Sequence, residues 1–328
     1  MSFECHQETY IRKRQPKKNI PMALRDLRDA PEFIQGFWKH TRFYGDWRRD
    51  KYQFPIDKEE TNRYDIFHKF FLLARREHVF THPIPRPNPR VLDLGTGTGI
   101  WAINVAENYL RDGHIMAVDL NKIQPPLIPR NVETLQFDLE EPSWEPLLKD
   151  CDLIHMRLLL GSIHDSLWPS TYRKAFEHTM PGGYIEQVEI NWLPDWHGTD
   201  IPEHSFLMEW AQKYLQGMDG FHRSARVDTS NVKAMMEAAG YVNFEERLIR
   251  CYVNPWSRNA EERRVAQWFN LCLIDGVQAM SLAPMIENLG MTIEQINELQ
   301  DAVKSECCKL RYHAFCTMHI WTAMRPTR

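Results

Sequence analysis

Three aspartates and a run of glycines stand at intervals that suit one kind of ligand. The stretch "RVLDLGTGTGIWAINVA", residues 90–106, places Asp93 just ahead of Gly95, Gly97 and Gly99. Asp119 follows 20 residues after Gly99, and Asp138 lies further on, near the end of "VETLQFDL". A glycine turn that opens a helix presents free backbone N–H groups with no Cβ in the way. A dinucleotide turn needs G-x-G-x-x-G, and its third glycine falls on Ile100 here. A carboxylate at Asp93 repels a pyrophosphate but suits an amino group and a sulfonium. Asp119 is placed to accept from two ribose hydroxyls, and Asp138 from an adenine amino group. The chemistry these positions point to is binding of S-adenosyl-L-methionine for methyl transfer. Thr96 in the turn, Leu120, Phe137 and Leu139 beside the acids, and Met156 in the fourth strand complete the expected cofactor lining.

Methyl transfer is an in-line displacement at an activated carbon, so the protein chiefly positions donor and acceptor. A base is needed only where the acceptor must lose a proton, as a phenol does and a carboxylate does not. No residue is assigned as catalytic from sequence; the candidates are His155, Arg157, His164 and Glu189. His155 sits in an apolar strand and reads first as a hydrogen-bonded core histidine. Arg157 holds an acidic substrate or pairs with a neighbouring carboxylate. His164 falls in a loop. Glu186 and Glu189 are an odd number of residues apart, so at most one of them faces the site. Tyr52 is placed to lean over the cofactor. Trp192, Trp196, Trp210, Trp256 and Trp268 read mainly as the core of a lid, with one or two free to line an acceptor pocket.

These residues need a scaffold, and the sequence alternates accordingly. "RVLDL", "HIMAVDL", "VETLQFDL", "CDLIHMRLLL" and "YIEQVEI" read as strands, with helices over 99–110 and in "WPSTYRKAFEHTM". Such alternation implies crossovers and a parallel sheet. Further on come a helix in "TSNVKAMMEAAG", a strand in "YVNFEERLIRCYV", helices over 258–281 and 292–309, and a last strand in "HAFCTMHIWTAM". Ahead of the core, Ile66, Phe67, Phe70, Phe71 and Ala74 form an apolar stripe on a helix over 59–76, with Thr61 or Asn62 as its cap. Residues 1–45 show no periodicity and read as a basic, flexible tail.

Composition bounds the rest. With 328 residues, 43% hydrophobic and 26% charged, the chain can bury an α/β core with appended helices. A net charge of −4 argues against electrostatic nucleic-acid binding. No run of 18 apolar residues and no signal-peptide core is present, so an intracellular protein without a membrane span is expected. The seven cysteines include no C-x-x-C pair, which argues against zinc and a disulfide framework. The run "IRKRQPKK" at 11–18 reads as an import signal or a solvated tail.

The chain resembles the class I methyltransferases, and within them the fungal LaeA-like, velvet-associated group. The likeness covers about residues 45–326. It is carried by "YQFPIDKEETNRYDIFHKFF", with Tyr52, Pro55, Asp57, Glu60, Arg63, Asp65 and His68 in place, and by "DLIHMRLLLGS", "PGGYIEQVEI", "NPWSRNAEERRVAQWFN", "MSLAPM" and "HIWTAMRP". Thr96 departs from the cysteine common among the regulators, and the leading region is short, which admits a paralogue. The resemblance implies a Rossmann-like, seven-stranded, mostly parallel sheet with its last strand antiparallel and helices on both faces. The methyltransferase domain would span 46–328, with the cofactor core at 90–193, a lid at 194–226 and a helical insertion at 258–309. It also implies velvet-domain partners, presence in nucleus and cytoplasm, and control of secondary metabolism and development. A small-molecule O-methyltransferase with a carboxyl or phenol acceptor, and a cofactor-binding scaffold with little turnover, are the competing readings. A deep aromatic pocket beside the fourth and fifth strands favours the small-molecule reading, and a shallow open mouth a protein acceptor.

Overall fold

A computed structural model describes residues 35–198 and 202–327. The basic run at 11–18 and Cys5 lie outside the described residues.

Seven strands form one sheet: β3 (Arg90–Leu94), β4 (His114–Asp119), β5 (Val132–Gln136), β6 (Cys151–Arg157), β7 (Thr179–Trp196), β8 (Val242–Tyr252) and β9 (Ala314–Met324). Their spatial order is β5-β4-β3-β6-β7-β9-β8. The first five are parallel, and β9 runs antiparallel to both β7 and β8. Val91, Leu92, Leu94, Ile115, Val118 and Ile154 are fully buried because helices cover both faces of the central strands. The strand order reverses at β3, which has β4 on one side and β6 on the other. Ligands of open α/β sheets bind beyond the carboxyl ends of the strands at such a reversal.

Helix α2 (Ile100–Asn108) sets Trp101 and Val105 against one face, and α3 (Trp168–His178) and α5 (Thr229–Ala239) cover the other. A helical layer of α1 (Lys58–Ala74), α4 (Phe206–Gly220), α6 (Ala260–Leu289) and α7 (Ile293–Cys307) packs over the β7–β9 side. Phe70 of α1 meets Phe269 of α6 at 4.9 Å between ring centres. Trp210 of α4 donates to Ser281 of α6 at 2.9 Å. By length and composition α6 could cross a membrane, but 72% of its most apolar window is buried in this core. Cys151, Cys251, Cys272, Cys307 and Cys316 are buried free thiols.

Three local expectations are corrected. The tail does not extend to 45: β1 (Gly36–Lys39) and β2 (Arg42–Gly45) pair as a hairpin. Its turn places His40 and Thr41 at positive φ, a conformation normally signalled by Asn-Gly, so the sequence hides it. The cap of α1 is Asp57, not Thr61 or Asn62; its carboxylate accepts from Glu60 N at 3.1 Å and holds Arg42 of the hairpin by two hydrogen bonds of 2.6 and 2.7 Å. Helix α6 also continues past 281, through Pro284, to stop at Gly290 in the left-handed region. Packing against α4 outweighs the lost helical hydrogen bond.

Candidate functional site

The β3–α2 turn is shaped by positive-φ glycines. Gly95 has φ 72°, and a Cβ there would stand 2.4 Å from Leu159. Gly97 has φ 60°, and a Cβ there would have only Tyr64 within reach, at 3.8 Å, so its bare face looks into a cleft. The N–H groups of Gly95 and Thr96 both donate to Val118 O at 2.9 Å, which pins the turn to β4. Gly97 N donates to one Asp119 oxygen and Asn121 N to the other, each at 2.8 Å. Burial pushes the Asp119 carboxyl up to about 6, although those two backbone donors pull the other way.

The cleft above this turn holds about 930 Å³ of space and opens to solvent. Nine of the twelve expected cofactor residues line it. Gly95, Thr96 and Gly97 form its floor; Asp119 and Leu120 follow on the β4 side. Phe137, Asp138 and Leu139 close the far end, and Tyr52 stands opposite.

Asp93, Gly99 and Met156 are not part of that lining. Asp93 is 2% exposed beneath the turn, where it accepts from Thr96 Oγ1 at 2.6 Å and pairs with His155 Nδ1 at 2.7 Å. Its carboxylate thus braces the loop instead of facing a ligand. Gly99 is the N-cap of α2, and a Cβ there would meet Gln124. Met156 is buried in the core, because strand alternation gives the cleft its neighbour Arg157 instead.

The acceptor-side candidates separate just as clearly. His155 is a core histidine: it stacks on Trp101 at 3.6 Å with rings 2° apart, and burial holds its pKa down against the pull of Asp93. His164 caps the short turn Asp165–Leu167 through its side chain and does not line the cleft. Glu186 lies on the other face of β7, paired with Arg75 at 2.7 Å and with Thr81 N. Glu189 is on the opposite face and lines a second pocket beside the cleft, so the two do not share a face, as their odd spacing implies.

Arg157 lines the cleft without a carboxylate partner among the described residues. One guanidinium nitrogen lies 3.3 Å from His68 Nδ1, and the group sits 4.8 Å from the centre of the Phe71 ring. Burial lowers Arg157 to about 10, so it stays charged at neutral pH. Burial, with Arg157 beside it, takes His68 down to about 3, leaving a neutral ring able to accept.

Residues not foreseen also contribute. Lys51 donates to Asp138 Oδ2 at 2.6 Å and reaches Glu140 at 2.9 Å, and Arg223 holds Glu140 at 2.6 Å. Nothing in the sequence links these distant positions. Tyr64 was legible, since it stands at i, i+3 and i+7 with Phe67 and Phe71, and all three line the cleft. Its hydroxyl bonds to that of Tyr52 at 2.7 Å.

Behind this tyrosine pair lies a smaller inner pocket. Tyr52, Tyr64, Leu158 and Ser162 line both spaces and form the passage between them. The deeper walls are Phe54, Glu189, Trp192, Tyr214 and Ala225, each no more than 9% exposed. The inner pocket therefore adjoins the cleft.

The lining fits S-adenosyl-L-methionine in strand order. Asp138 beyond β5, Asp119 at the end of β4, the bare floor after β3 and Arg157 at the end of β6 run across about 14 Å, at about 4.8 Å per strand. They offer an acceptor for an amino group, acceptors for a diol, room for close approach, and a cation for a carboxylate.

Residues 63–246 match a methyltransferase domain family. The chain is 56% identical over 292 residues to the secondary metabolism regulator LAE1 of Hypocrea atroviridis, covering 89% of this chain and 84% of that protein. It is 54% identical to the regulator laeA of Fusarium oxysporum f. sp. lycopersici, covering 89% and 92%. With laeA of Aspergillus fumigatus the identity is 35% over 303 residues, covering 90% and 78%.

Proposed function

The chain belongs to the LaeA/LAE1 family of S-adenosyl-L-methionine-dependent methyltransferases, and from that premise we propose that it regulates secondary metabolism by methylating a small acceptor. The cofactor supplies a methyl group already activated on a sulfonium. Asp138 and Asp119 hold its adenosine end, Gly95 to Gly97 let it approach the backbone, and Arg157 holds its carboxylate. The passage at Tyr52 and Tyr64 presents the acceptor, and the buried lid helices keep bulk water from the inner pocket.

The observation that carries this reading is the ordered cleft, with Arg157, which has no carboxylate partner among the described residues, at one end and paired acids at the other. The aromatic inner pocket favours a small acceptor over a folded protein surface, because its walls are largely buried aromatic side chains. The test is calorimetry with S-adenosylhomocysteine. Wild-type protein binds it, and Gly97→Arg, which drives a side chain into the cleft at positive φ, does not. Loss of metabolite production in Gly97→Arg cells supports the enzyme; unchanged production would instead favour a scaffold.

The same proposal includes velvet-domain partners and residence in both nucleus and cytoplasm. The family membership supports the first, and Arg12, Lys13, Arg14, Lys17 and Lys18 support the second.

A further inference from the structure

Resting on the methyltransferase reading, we infer that Glu189 is the general base for a phenol held in the inner pocket between β7, α4 and α6. The carboxylate is fixed in one orientation. Leu159 N, Leu160 N and Gln187 Nε2 all donate to Oε1, at 3.0, 3.2 and 2.9 Å. Gln187 is itself locked by the Tyr172 hydroxyl at 2.6 Å. No described residue donates to Oε2, and Glu189 lines the pocket. A carboxylate with three donors on one oxygen and none on the other is set to receive one more O–H.

The surroundings select the donor. Phe54, Trp192 and Tyr214 give flat apolar walls that suit an aromatic ring. The other charge on the lining, Arg63, is already neutralised by Glu60 and lies against the Tyr64 and Phe67 rings. A carboxylic-acid acceptor arrives ionised and meets Glu189 as a like charge with no free cation in the inner pocket. An ammonium acceptor has no lone pair to attack with and must share the space with Arg63. A phenol meets neither obstacle.

Burial lifts Glu189 to about 7, which suits a base working at neutral pH. The titratable groups around it are Arg63 from α1, Tyr52 and Tyr64 at the passage, Tyr214 from α4 and Tyr172 behind Gln187. Burial raises all four tyrosines, so none competes for the proton at neutral pH. In the step, Glu189 Oε2 takes the hydroxyl proton while the phenol oxygen bonds to the methyl carbon. The carbon–sulfur bond breaks with its electron pair left on sulfur, and Glu189 later releases the proton to solvent.

The test uses the full chain saturated with S-adenosylhomocysteine, with 4-nitrophenol as the probe, near pH 7, where Glu189 can still take a proton. Binding is read by tryptophan fluorescence, and ionisation by the visible phenolate band. Wild-type protein is expected to bind the probe as phenolate. Glu189→Gln, which keeps the Oε1 acceptor, is expected to bind it within about threefold but to lose the band about tenfold. Ala225→Leu, which fills the pocket, is expected to abolish probe binding and leave S-adenosylhomocysteine affinity unchanged. An unchanged band in Glu189→Gln, unchanged binding in Ala225→Leu, or binding of benzylamine in place of the phenol overturns the assignment. So does a wild-type protein that binds S-adenosylhomocysteine but not the probe, and there the methyltransferase reading survives. Failure to bind S-adenosylhomocysteine at all removes both.

Discussion

Arg157→Met removes the one positive charge lining the cleft that has no carboxylate partner among the described residues, and its effect is selective. A hydrogen bond to a charged group contributes about 1.5–3 kcal/mol. At about 1.4 kcal/mol per tenfold, the loss is about 10- to 150-fold in affinity for a ligand that carries the amino-acid carboxylate. The upper half of that range is expected, because Arg157 is desolvated enough to sit at about 10 and gains its partner only when the ligand arrives. The fold itself loses little. Methionine fills the space against Phe71, forfeiting a cation–π contact of about 0.5–1 kcal/mol but relieving a buried, unpaired charge. Calorimetry should therefore compare S-adenosylhomocysteine with methylthioadenosine, which lacks the amino-acid end. Arg157→Met weakens the first by the amount above and leaves the second within about twofold, and Arg157→Lys recovers part of the difference. An equal loss for both ligands would mean that Arg157 shapes the cleft as a whole, and the assigned role would be wrong.

Two further outcomes follow from the same geometry. Asp119 must be ionised to accept from a diol, and its raised pKa of about 6 in the free protein means that cofactor affinity falls as pH drops through 6 and that binding there releases a proton. The sign for stability is opposite: its contribution is fully present below the ordinary carboxylate range and is lost as pH rises through about 6. Affinity that stays flat from pH 5 to 8, measured in buffers of different ionisation enthalpy, rules this out. Arg42→Ala strands the buried Asp57 carboxylate and loosens the hairpin from α1, which costs about 3–5 kcal/mol in urea denaturation. A loss under about 1 kcal/mol would show that the hairpin is not anchored there.

The legible part of the site was local. The G-x-G-x-G turn and the acids at successive strand ends could be read because each belongs to one strand–turn unit, whose period and turn chemistry are written within a few residues. Glu186 and Glu189 could be split between faces for the same reason, since alternation is a property of the chain itself. Asp93 was misjudged because its position at a strand end is local, but its partners are not. His155 lies across the sheet in register with it, and the Thr96 hydroxyl turns back beneath the loop. The hairpin at 36–45 was missed since its turn carries His40 and Thr41, and the ion pair that ties it to the helix joins Arg42 to Asp57, 15 residues on.

The sequence by itself determined the strand–helix order, the glycine turn that floors the cleft, and which acids stand at strand ends. Only the tertiary structure decided which of those acids line the cleft, that Arg157 has no carboxylate partner among the described residues, and that an aromatic pocket containing Glu189 adjoins Tyr52 and Tyr64. The physical reason is the range of the forces. Backbone conformation and side-chain alternation are fixed within a few residues of the chain. Desolvation and charge pairing instead depend on groups that come from α1, β6, β7, α4 and α6 and meet only when the lid layer packs.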